Sequence, residues 1–485
     1  MPSEKRRVRM WHRLLAGGGS VGLLAALAVP TASAVDFTID PDLQEAKAVA
    51  DSNDPANTNP ADPSNCPTLT SPPRALEAWF NTDDMEYRGY LDPKNQRSWS
   101  FANKIAQIIC GAKQDSKIHI GMFFIRAIGT ADRPESDTEI IWRAMDYVYK
   151  YRNVKIYWVM DGGSITSDAA KDNIKKRLAT FESEIKWCYN GCLNINKSSK
   201  YPDALNHEKF LTISDTIWEN DGEVHPAVYS SSGNFARSQV RTYWQEATLV
   251  YDDHKLYDYL YDRYVAMKVC SGSVSSDCKA GRFPTTATTK HSLKLERKIW
   301  IDNVYRHYTD ADRGTTLSFS PQPVDVLDYY VSQFRDVDCA VDNKIRVAMY
   351  RLTDTRAQRF IDTIKKLKSQ GCDVRVLLSQ KGGASTISPK VAKMLKKAKL
   401  TAQVNCTRVP IHTKLILIGP SNNNSGRIMF GTANMSTSGL RYSEEHVITM
   451  DSRRASAEFA SDIRQVYGVY QAGWNELNQG SRTCK

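Results

Sequence analysis

Two short stretches of the chain, NHEKFLTISDT at residues 206–216 and IHTKLILIGPS at residues 411–421, share one arrangement. In each stretch a His-x-Lys triplet leads into an apolar run with β-branched residues, which predicts a buried strand. One such triplet occurs often by chance, but two in matched surroundings indicate that the chain contains an internal repeat.

Further segments repeat in the same order and extend the similarity to most of the chain. The repeated pairs are SKIHIGMFFIRA at 116–127 with NKIRVAMYRLTD at 343–354, NVKIYWVMDGG at 153–163 with DVRVLLSQKGG at 373–383, AVYSSSGNFARS at 227–238 with RIMFGTANMSTS at 427–438, and QEATLVYDD at 245–253 with EEHVITMDS at 444–452. The separation between matched residues falls gradually, from 227 for Lys117 and Lys344 to 199 for Glu246 and Glu445. A duplication followed by small loop deletions produces this pattern, so we expect two homologous halves.

Segments with helical periodicity lie between the predicted strands; one of them is ESDTEIIWRAMDYVYKYR at 135–152. Alternating strands and helices predict an α/β fold in which each half is a sheet covered by helices on both faces. We expect the first half at residues 73–270, a linker at 271–300 and the second half at 301–485. The two halves would be related by a pseudo-twofold axis, with an active site between them.

The first 34 residues predict a cleaved export signal. A basic segment at 4–13 precedes a short apolar run that contains glycines, and Ala-Ser-Ala at 32–34 supplies a small-residue cleavage site. Residues 35–72 are rich in Pro, Asn and Asp, which predicts an extended or disordered segment. We therefore expect a protein that is secreted after cleavage near Ala34, by either the general or the twin-arginine route.

The charge of the chain favours no particular partner. The formal net charge is +11, and residues 1–34 hold five of the 65 basic residues and one of the 54 acidic residues, which leaves +7 for the mature chain. This mild excess permits an anionic membrane or nucleic acid as a partner without favouring either.

All ten cysteines lie after residue 34, and an even number behind an export signal predicts disulfides. Cys188 with Cys192 and Cys270 with Cys278 are close enough in sequence for local bridges, while the other pairings stay open. No Cys-x-x-Cys pair or nearby histidine has the spacing of metal ligands. We therefore expect neither a metal nor another cofactor.

The repeated polar residues suit chemistry on a phosphodiester. His and Lys two apart on a strand face the same way, and a downstream Asn and Glu accompany them in both copies. One imidazole would attack phosphorus while the other protonates the leaving oxygen, and the Lys and Asn groups would stabilise the added charge. Each Glu could hold an imidazole Nδ1–H and fix its tautomer. The candidate catalytic residues are His207, Lys209, Asn234 and Glu246 in the first half and His412, Lys414, Asn434 and Glu445 in the second.

These motifs resemble those of the phospholipase D superfamily, whose signature is His-x-Lys-x4-Asp followed by Gly-x-Asn. The resemblance spans residues 75–475 and implies two α/β domains side by side, with His207 as the nucleophile and His412 as the general acid and base. The chain departs from the signature at the Asp, where it has Ser214 and Gly419. In the superfamily that Asp is generally structural, so the resemblance still implies the same chemistry.

Within the superfamily, the chain resembles secreted bacterial phospholipases D. This resemblance implies a monomer that acts on a phospholipid membrane surface. It would hydrolyse phosphatidylcholine-like lipids to phosphatidate and transfer some product to alcohols. The alternatives are a secreted, metal-independent nuclease of the same superfamily, a head-group-exchanging lipid synthase, and a non-catalytic lipid- or glycan-binding relative.

Other conspicuous residues carry weaker signals. The remaining histidines lack matched partners and are interpreted as structural, although His446 follows Glu445 directly. Aromatic residues are equally consistent with a lipid-accepting mouth and with the core; they are Trp79, Phe80, Phe123, Tyr243 and Trp244.

Overall fold

A computed structural model describes most of the chain from residue 75 onward. The described residues are 66, 75–81, 100–125, 139–165, 168–189, 191–193, 204–217, 222–236, 243–271, 308–321, 326–381, 384–385, 387–407, 410–420 and 425–484. The predicted export signal lies outside them, as do the predicted N-terminal segment apart from Cys66 and the predicted linker apart from Ser271. No helix within the described ranges combines the length and apolar character needed to cross a bilayer.

The first half forms a seven-stranded sheet with the order β1-β7-β6-β5-β2-β3-β4. Its strands are β1 (Leu76–Phe80), β2 (Lys117–Met122), β3 (Lys155–Asp161), β4 (Glu184–Cys188), β5 (Lys209–Ile213), β6 (Ala227–Ser231) and β7 (Glu246–Tyr251). Strands β2, β3 and β4 are parallel, whereas β5, β6, β7 and β1 pair in antiparallel fashion.

The second half forms a nine-stranded sheet with the order β18-β14-β11-β10-β15-β16-β17-β9-β8. Its strands are β8 (Tyr308–Asp310), β9 (Thr315–Ser320), β10 (Lys344–Met349), β11 (Asp373–Leu378), β14 (Val404–Cys406), β15 (Lys414–Gly419), β16 (Arg427–Gly431), β17 (Glu445–Asp451) and β18 (Arg482–Thr483). The short strands β12 (Gln380–Lys381) and β13 (Ala384–Ser385) pair separately. Seven strands repeat the order of the first sheet, which confirms the predicted α/β fold of two similar halves.

Helices cover the sheets because the strands are apolar on both faces. Every residue of β5 and β15 is buried, as expected for strands enclosed on two sides. The helices of the described residues are α1 (Ser100–Cys110), α2 (Glu139–Arg152), α3 (Asp168–Ala179), α4 (His254–Cys270), α5 (Val326–Ser332), α6 (Asp354–Ser369), α7 (Pro389–Lys397), α8 (Thr437–Arg441) and α9 (Ala457–Gln479).

Three apolar cores divide the fold into layers. One core is built from the first half, with α1 and α2 on the outer face of its sheet, and a second is built from the second half with α5, α6 and α7. The third core contains residues of both halves together with α4 and α9. These two long helices therefore form a middle layer between the sheets, and this shared layer joins the halves.

Helices α4 and α9 each contact the sheet of the other half. On α9, the ring of Tyr470 lies 5.5 Å from that of Phe80 on β1, and its hydroxyl hydrogen-bonds to Thr248 on β7. On α4, the Arg263 guanidinium lies 4.8 Å from the ring of Phe319 on β9. Because each helix is anchored on the opposite sheet, the halves are held in one orientation.

Disulfides close loops at the periphery of both halves. The predicted local bridge between Cys188 and Cys192 is present. The further bridges, which the sequence left open, are Cys66–Cys110, Cys339–Cys372 and Cys406–Cys484. The predicted partner of Cys270, Cys278, lies outside the described residues.

We predict that Gly431→Ala destabilises the protein by at least about 2 kcal/mol more than Gly371→Ala. Both glycines have positive φ, at 144° and 96°, so both variants pay for a strained backbone. Only at Gly431 would the new Cβ meet a backbone atom, the His446 carbonyl oxygen at 2.3 Å, while at Gly371 the space is open. Urea-induced unfolding of both variants measures the difference, and equal destabilisation would contradict this packing.

Candidate active site

The site forms where each His-x-Lys segment runs beside a segment of the opposite half. The His207 N–H donates to the Glu444 carbonyl oxygen at 3.0 Å, and the His412 N–H donates to the Trp244 carbonyl oxygen at 2.9 Å. Short parallel bridges, Asn206 with Glu444 and Trp244 with Ile411, therefore cross the interface at two related places. They bring the N-terminal ends of β5 and β15 together.

The two histidines face each other across the interface. Their ring centroids are 6.1 Å apart, and each side chain retains a small exposed fraction, 8% for His207 and 7% for His412. Lys209 and Lys414 lie beneath them and are almost completely buried. A phosphoryl group could therefore reach both imidazoles from solvent while the ammonium groups approach it from below.

His207 is held by a carboxylate of the other half. Its Nδ1 lies 2.8 Å from Oε2 of Glu445, which begins β17. When Glu445 is ionised, its carboxylate only accepts hydrogen bonds, which places the proton of the imidazole on Nδ1 and the lone pair on Nε2. This tautomer presents a nucleophilic nitrogen to the pocket.

His412 has different neighbours. Its Nδ1 lies 2.7 Å from the carbonyl oxygen of Ser232 and 2.9 Å from Nζ of Lys414. The carbonyl requires a proton on Nδ1, whereas the ammonium group donates and requires a lone pair there. His412 can therefore adopt either tautomer, in contrast to His207, and this suits a group that releases and recovers a proton.

The predicted role of Glu246 is wrong. Glu246 accepts a hydrogen bond from the Ser232 hydroxyl at 2.7 Å and from the Lys414 backbone N–H at 3.2 Å, and no described contact joins it to His412. The strand pairing gives the reason. Ser231 pairs with Ala247, and Gly431 pairs with Val447.

This pairing makes Gln245, not Glu246, the structural equivalent of Glu445. Successive residues of a strand point to opposite faces, so a shift of one residue turns the Glu246 carboxylate away from the imidazole. Matching the two glutamates by sequence gave a separation of 199, whereas Asn234 and Asn434 are separated by 200. Applying that second separation to β7 and β17 would have identified Gln245 from the sequence.

The asparagines complete the site in both halves. Asn234 and Asn434 follow β6 and β16 and are 2% and 8% exposed. In each, the buried Oδ1 has no hydrogen-bond partner among the described residues. Two equivalent, buried side-chain amides with unused bonding capacity are consistent with a polar ligand between the halves.

Aromatic rings form the walls of the pocket. The Phe123 ring lies 5.1 Å from the ring of His207, and the Tyr350 ring lies 4.6 Å from that of His412. Phe123 directly follows β2 and Tyr350 directly follows β10, so these two residues occupy equivalent positions. Tyr243 also approaches His412, at 5.9 Å. Of the aromatic residues named from the sequence, Phe123 and Tyr243 lie at the site.

Other residues named from the sequence lie away from the imidazoles. Trp79 contacts Phe101, and Phe80 contacts Trp244 and Tyr470 in the core. Among the other histidines, His119 stacks on a tyrosine and His225 contacts an aspartate. His446, interpreted as structural, lies directly behind the site and has a buried acidic partner.

The two positions that lack the signature Asp lie at the far ends of their strands. Ser214 follows β5, and its hydroxyl accepts a hydrogen bond from the Lys117 N–H at 2.8 Å. Gly419 ends β15, and a Cβ there would lie 2.3 Å from the Ser425 carbonyl oxygen. Both are several residues along the strand from the imidazoles, at about 3.3 Å per residue, so neither contacts the pocket.

The electrostatics of the empty pocket disfavour positive charge. Burial, together with the ammonium groups of Lys209 and Lys414, lowers the pKa of both His207 and His412 well below the usual value. Burial also raises the pKa of Glu445 well above its usual value. Burial and the neighbouring Lys209 likewise lower the pKa of Lys414. An anion between the imidazoles would favour the protonated forms of His207, His412 and Lys414 and so raise their pKa values again.

Comparisons with known proteins give a match to one domain model and similarity of fold. Residues 339–467 match the protein-family model described as cardiolipin synthase, PLD-like domain. No curated protein sequence matches the chain. Phosphatidylserine synthase of Haemophilus influenzae Rd KW20 shares its fold with a TM-score of 0.51 and 11% sequence identity, over 84% of this chain and 87% of that chain.

Two further structures show weaker similarity. Yeast tyrosyl-DNA phosphodiesterase has 12% sequence identity and a TM-score of 0.41, over 79% of this chain and 91% of that chain. Polyphosphate kinase from Porphyromonas gingivalis has 9% identity and a TM-score of 0.42 over 77% of this chain, which spans about half (47%) of that kinase's length.

The sheet order and the structural similarity define a duplicated α/β fold. The family match covers the second half, and the phosphatidylserine synthase fold extends over both halves. Residues 339–467 are thus similar to a PLD-like domain, and the whole chain has a fold similar to that of the phosphatidylserine synthase.

We predict that sulfate binds this pocket with an affinity that increases from about pH 8 to about pH 6. The pKa values of His207 and His412 are depressed in the empty site, and the bound anion raises them, so binding takes up protons. Linkage then makes binding tighter as the pH falls through this window. Calorimetry in buffers of different ionisation enthalpy measures the proton uptake, and pH-independent binding would contradict it.

Proposed function

We propose that the protein is a secreted phosphodiesterase of the phospholipase D type, which hydrolyses phospholipid head groups through a phosphohistidine on His207. The observation that supports this most strongly is the pair of facing imidazoles. Among the described contacts, a carboxylate lies on Nδ1 of His207 and none lies on that of His412. The two lysines and two asparagines around them supply donors for phosphoryl oxygens.

In the first step, Nε2 of His207 attacks phosphorus and the bond from phosphorus to the leaving oxygen breaks. His412 donates its proton to that oxygen, which leaves as an alcohol. Glu445 stabilises the cationic phosphoimidazole by accepting the Nδ1 hydrogen bond. Lys209, Lys414 and the asparagine amides stabilise the charge on the remaining phosphoryl oxygens.

In the second step, a water molecule attacks phosphorus from the side that the alcohol left. His412 takes the proton from this water, the P–N bond breaks, and His207 returns to its neutral form. An alcohol in place of water would give a new diester, which is transphosphatidylation. Protonated His412 is then ready for the next leaving group.

The asymmetry of the site supports this assignment of roles. A nucleophilic imidazole becomes cationic when it attacks phosphorus, so a fixed tautomer and a carboxylate on Nδ1 favour this role. His207 has both features. Exchangeable tautomers favour a group that shuttles protons, which describes His412. The Gln245 amide at the position equivalent to Glu445 cannot supply a negative charge, so the halves are not interchangeable.

Lipid substrates are supported by the N-terminal export sequence, the resemblance to secreted phospholipases D and the aromatic walls of the pocket. Phe123 and Tyr350 offer ring faces on both sides of the imidazoles, where an apolar group beside the phosphate could pack. We propose phosphatidylcholine-like lipids as substrates and a membrane surface as the partner of a monomeric enzyme.

A nuclease is the second candidate, and one observation favours it. Residues 374–443 contain eleven Lys and Arg and no Asp or Glu. Several of these lysines are exposed on α7 and just after it, where they create a positive face; they are Lys390, Lys393, Lys396, Lys397 and Lys399. Such a face would attract a polyanion, with strong salt dependence.

We predict that His207→Ala lowers the diesterase rate at least about 10³-fold, because no other group can act as the nucleophile. Glu445→Gln is expected to lower kcat by about 10²-fold or more, since the tautomer and charge of His207 are no longer fixed. Glu246→Gln is the matched control, and about tenfold or less is expected because Glu246 contacts no imidazole. A Glu246→Gln loss as large as that of Glu445→Gln would contradict the assigned roles.

The substrate class is tested by incubating the purified protein with phosphatidylcholine vesicles, EDTA and a little ethanol. Release of choline together with phosphatidylethanol is expected, since a phosphohistidine partitions between water and alcohol. Cleavage of DNA or of bis(4-nitrophenyl) phosphate without lipid turnover would retain the two-histidine chemistry and reject the lipid substrate. Vesicle or glycan binding without cleavage of any diester would indicate a non-catalytic relative.

A further inference from the structure

We infer that Glu208, His446 and Arg263 are positioning residues that hold Glu445 in place on His207. Glu208 and His446 form a second acid–imidazole pair, called the rear pair below, on the face of the same two chain segments that points away from the pocket. Arg263 bonds to the carboxylate of this pair. Nδ1 of His446 lies 2.5 Å from Oε2 of Glu208, and Nε of Arg263 lies 3.2 Å from Oε1 of the same carboxylate. All three side chains are completely buried.

The two acid–imidazole pairs are crossed. His207 and Glu208 are adjacent in one half, and Glu445 and His446 are adjacent in the other. His207 bonds to Glu445 on the pocket face, and Glu208 bonds to His446 on the opposite face. A displacement of one segment along the other would therefore have to break both pairs.

Such a constraint is needed because the backbone bridge at this point is short. It consists of the parallel pairing of Asn206 with Glu444, flanked by segments that lead away into separate sheets. A slip of one residue would move the Glu445 carboxylate by about 3.3 Å and turn it to the other face. Side-chain pairs on both faces oppose this slip.

Each member of the rear pair is fixed by further contacts. Nε2 of His446 lies 2.7 Å from the hydroxyl of Ser230 on β6, so both ring nitrogens are bonded. Arg263 on α4 donates to the Ser320 carbonyl oxygen and stacks on Phe319, both on β9. These contacts thus connect the segment at 206–208, β6 and α4 of the first half with β17 and β9 of the second half.

The charge of the set is balanced. Burial would raise the pKa of Glu208, but His446 and Arg263 outweigh it and hold that pKa below its usual value. The carboxylate is therefore ionised and fully hydrogen-bonded, which is the condition under which a buried charge has a defined geometry.

Among the described contacts, the related bridge in the other direction has no acid–imidazole pair, and the side chains of Thr413 and Glu246 hydrogen-bond there instead. Thr413 occupies the position of Glu208 there, and its hydroxyl donates to the Trp244 carbonyl oxygen at 3.1 Å. Glu246 occupies the position of His446. Among the described contacts, that bridge also lacks a carboxylate on the imidazole of His412. The rear pair thus occurs where a catalytic acid needs positioning.

The first test needs no substrate, so it is independent of the proposed function. In protein labelled with ¹⁵N-histidine, the Nδ1–H protons of His207 and His446 are expected far downfield, each assigned by its loss on substitution to Asn. In folded His446→Leu, the His207 signal should move upfield or disappear. It should persist in His446→Asn, because the Asn amide can still donate to Glu208.

An unchanged His207 signal in folded His446→Leu would overturn the inference. If that variant does not fold, Ser230→Ala provides the same test, because it disturbs the His446 ring at Nε2 and not at Nδ1. It removes the hydroxyl on Nε2 and should shift the His207 signal in the same direction by a smaller amount. An unchanged signal in Ser230→Ala would then overturn the inference.

A kinetic cycle shows whether the set acts through Glu445. With a diester that the protein cleaves, His446→Leu is expected to lower kcat about tenfold or more while changing KM less than about threefold. In a Glu445→Gln background the same substitution should change kcat less than about twofold, since the acid to be positioned is already lost. Equal losses in both backgrounds would indicate a general structural effect and contradict the positioning role.

Discussion

The pairing of residues 205–208 with residues 443–446 across the interface is the contact on which the site depends. It is a short parallel bridge between two separate sheets, and it sets the distance between His207 and its acid, Glu445, which belongs to the other half. The carboxylate that bonds to His207 thus comes from the half opposite to the histidine. The candidate active site is therefore a property of the interface, and packing of the middle layer contributes to its chemistry as well as to stability.

Duplication explains the architecture, and departure from symmetry explains the chemistry. Equivalent strands supply two His-x-Lys segments and two asparagines, so a phosphoryl group would meet similar donors from both sides. The acids differ, because Gln245 is equivalent to Glu445 and Glu246 is equivalent to His446. A symmetric pocket would hold a phosphodiester equally well but would give neither imidazole a fixed role. One carboxylate on one imidazole would separate the proposed nucleophile from the proposed proton shuttle.

Much of the fold follows from the sequence because the strands are short, apolar and repeated in order. The two sheets, the position of His207 and His412 at strand starts, and the Cys188–Cys192 bridge were all predictable. The role of Glu246 was predicted wrongly because identical residues were aligned, Glu246 with Glu445. The separation of Asn234 and Asn434 gives the register that the pairing of Ser231 with Ala247 shows. The packing of α9 on β1, and the bond between Glu208 and His446, join residues whose sequence positions carry no sign of proximity.

The most direct test maps the covalent intermediate. During turnover of bis(4-nitrophenyl) phosphate by His412→Asn, rapid quenching and peptide mass spectrometry should find the phosphoryl group on His207, because leaving-group departure from this activated diester needs little acid catalysis and hydrolysis of the intermediate is slowed. In His207→Asn no phosphopeptide should form. Phosphorylation of His412 in the His207→Asn protein, at the rate of the wild-type burst, would contradict the division of roles that Glu445 is proposed to create.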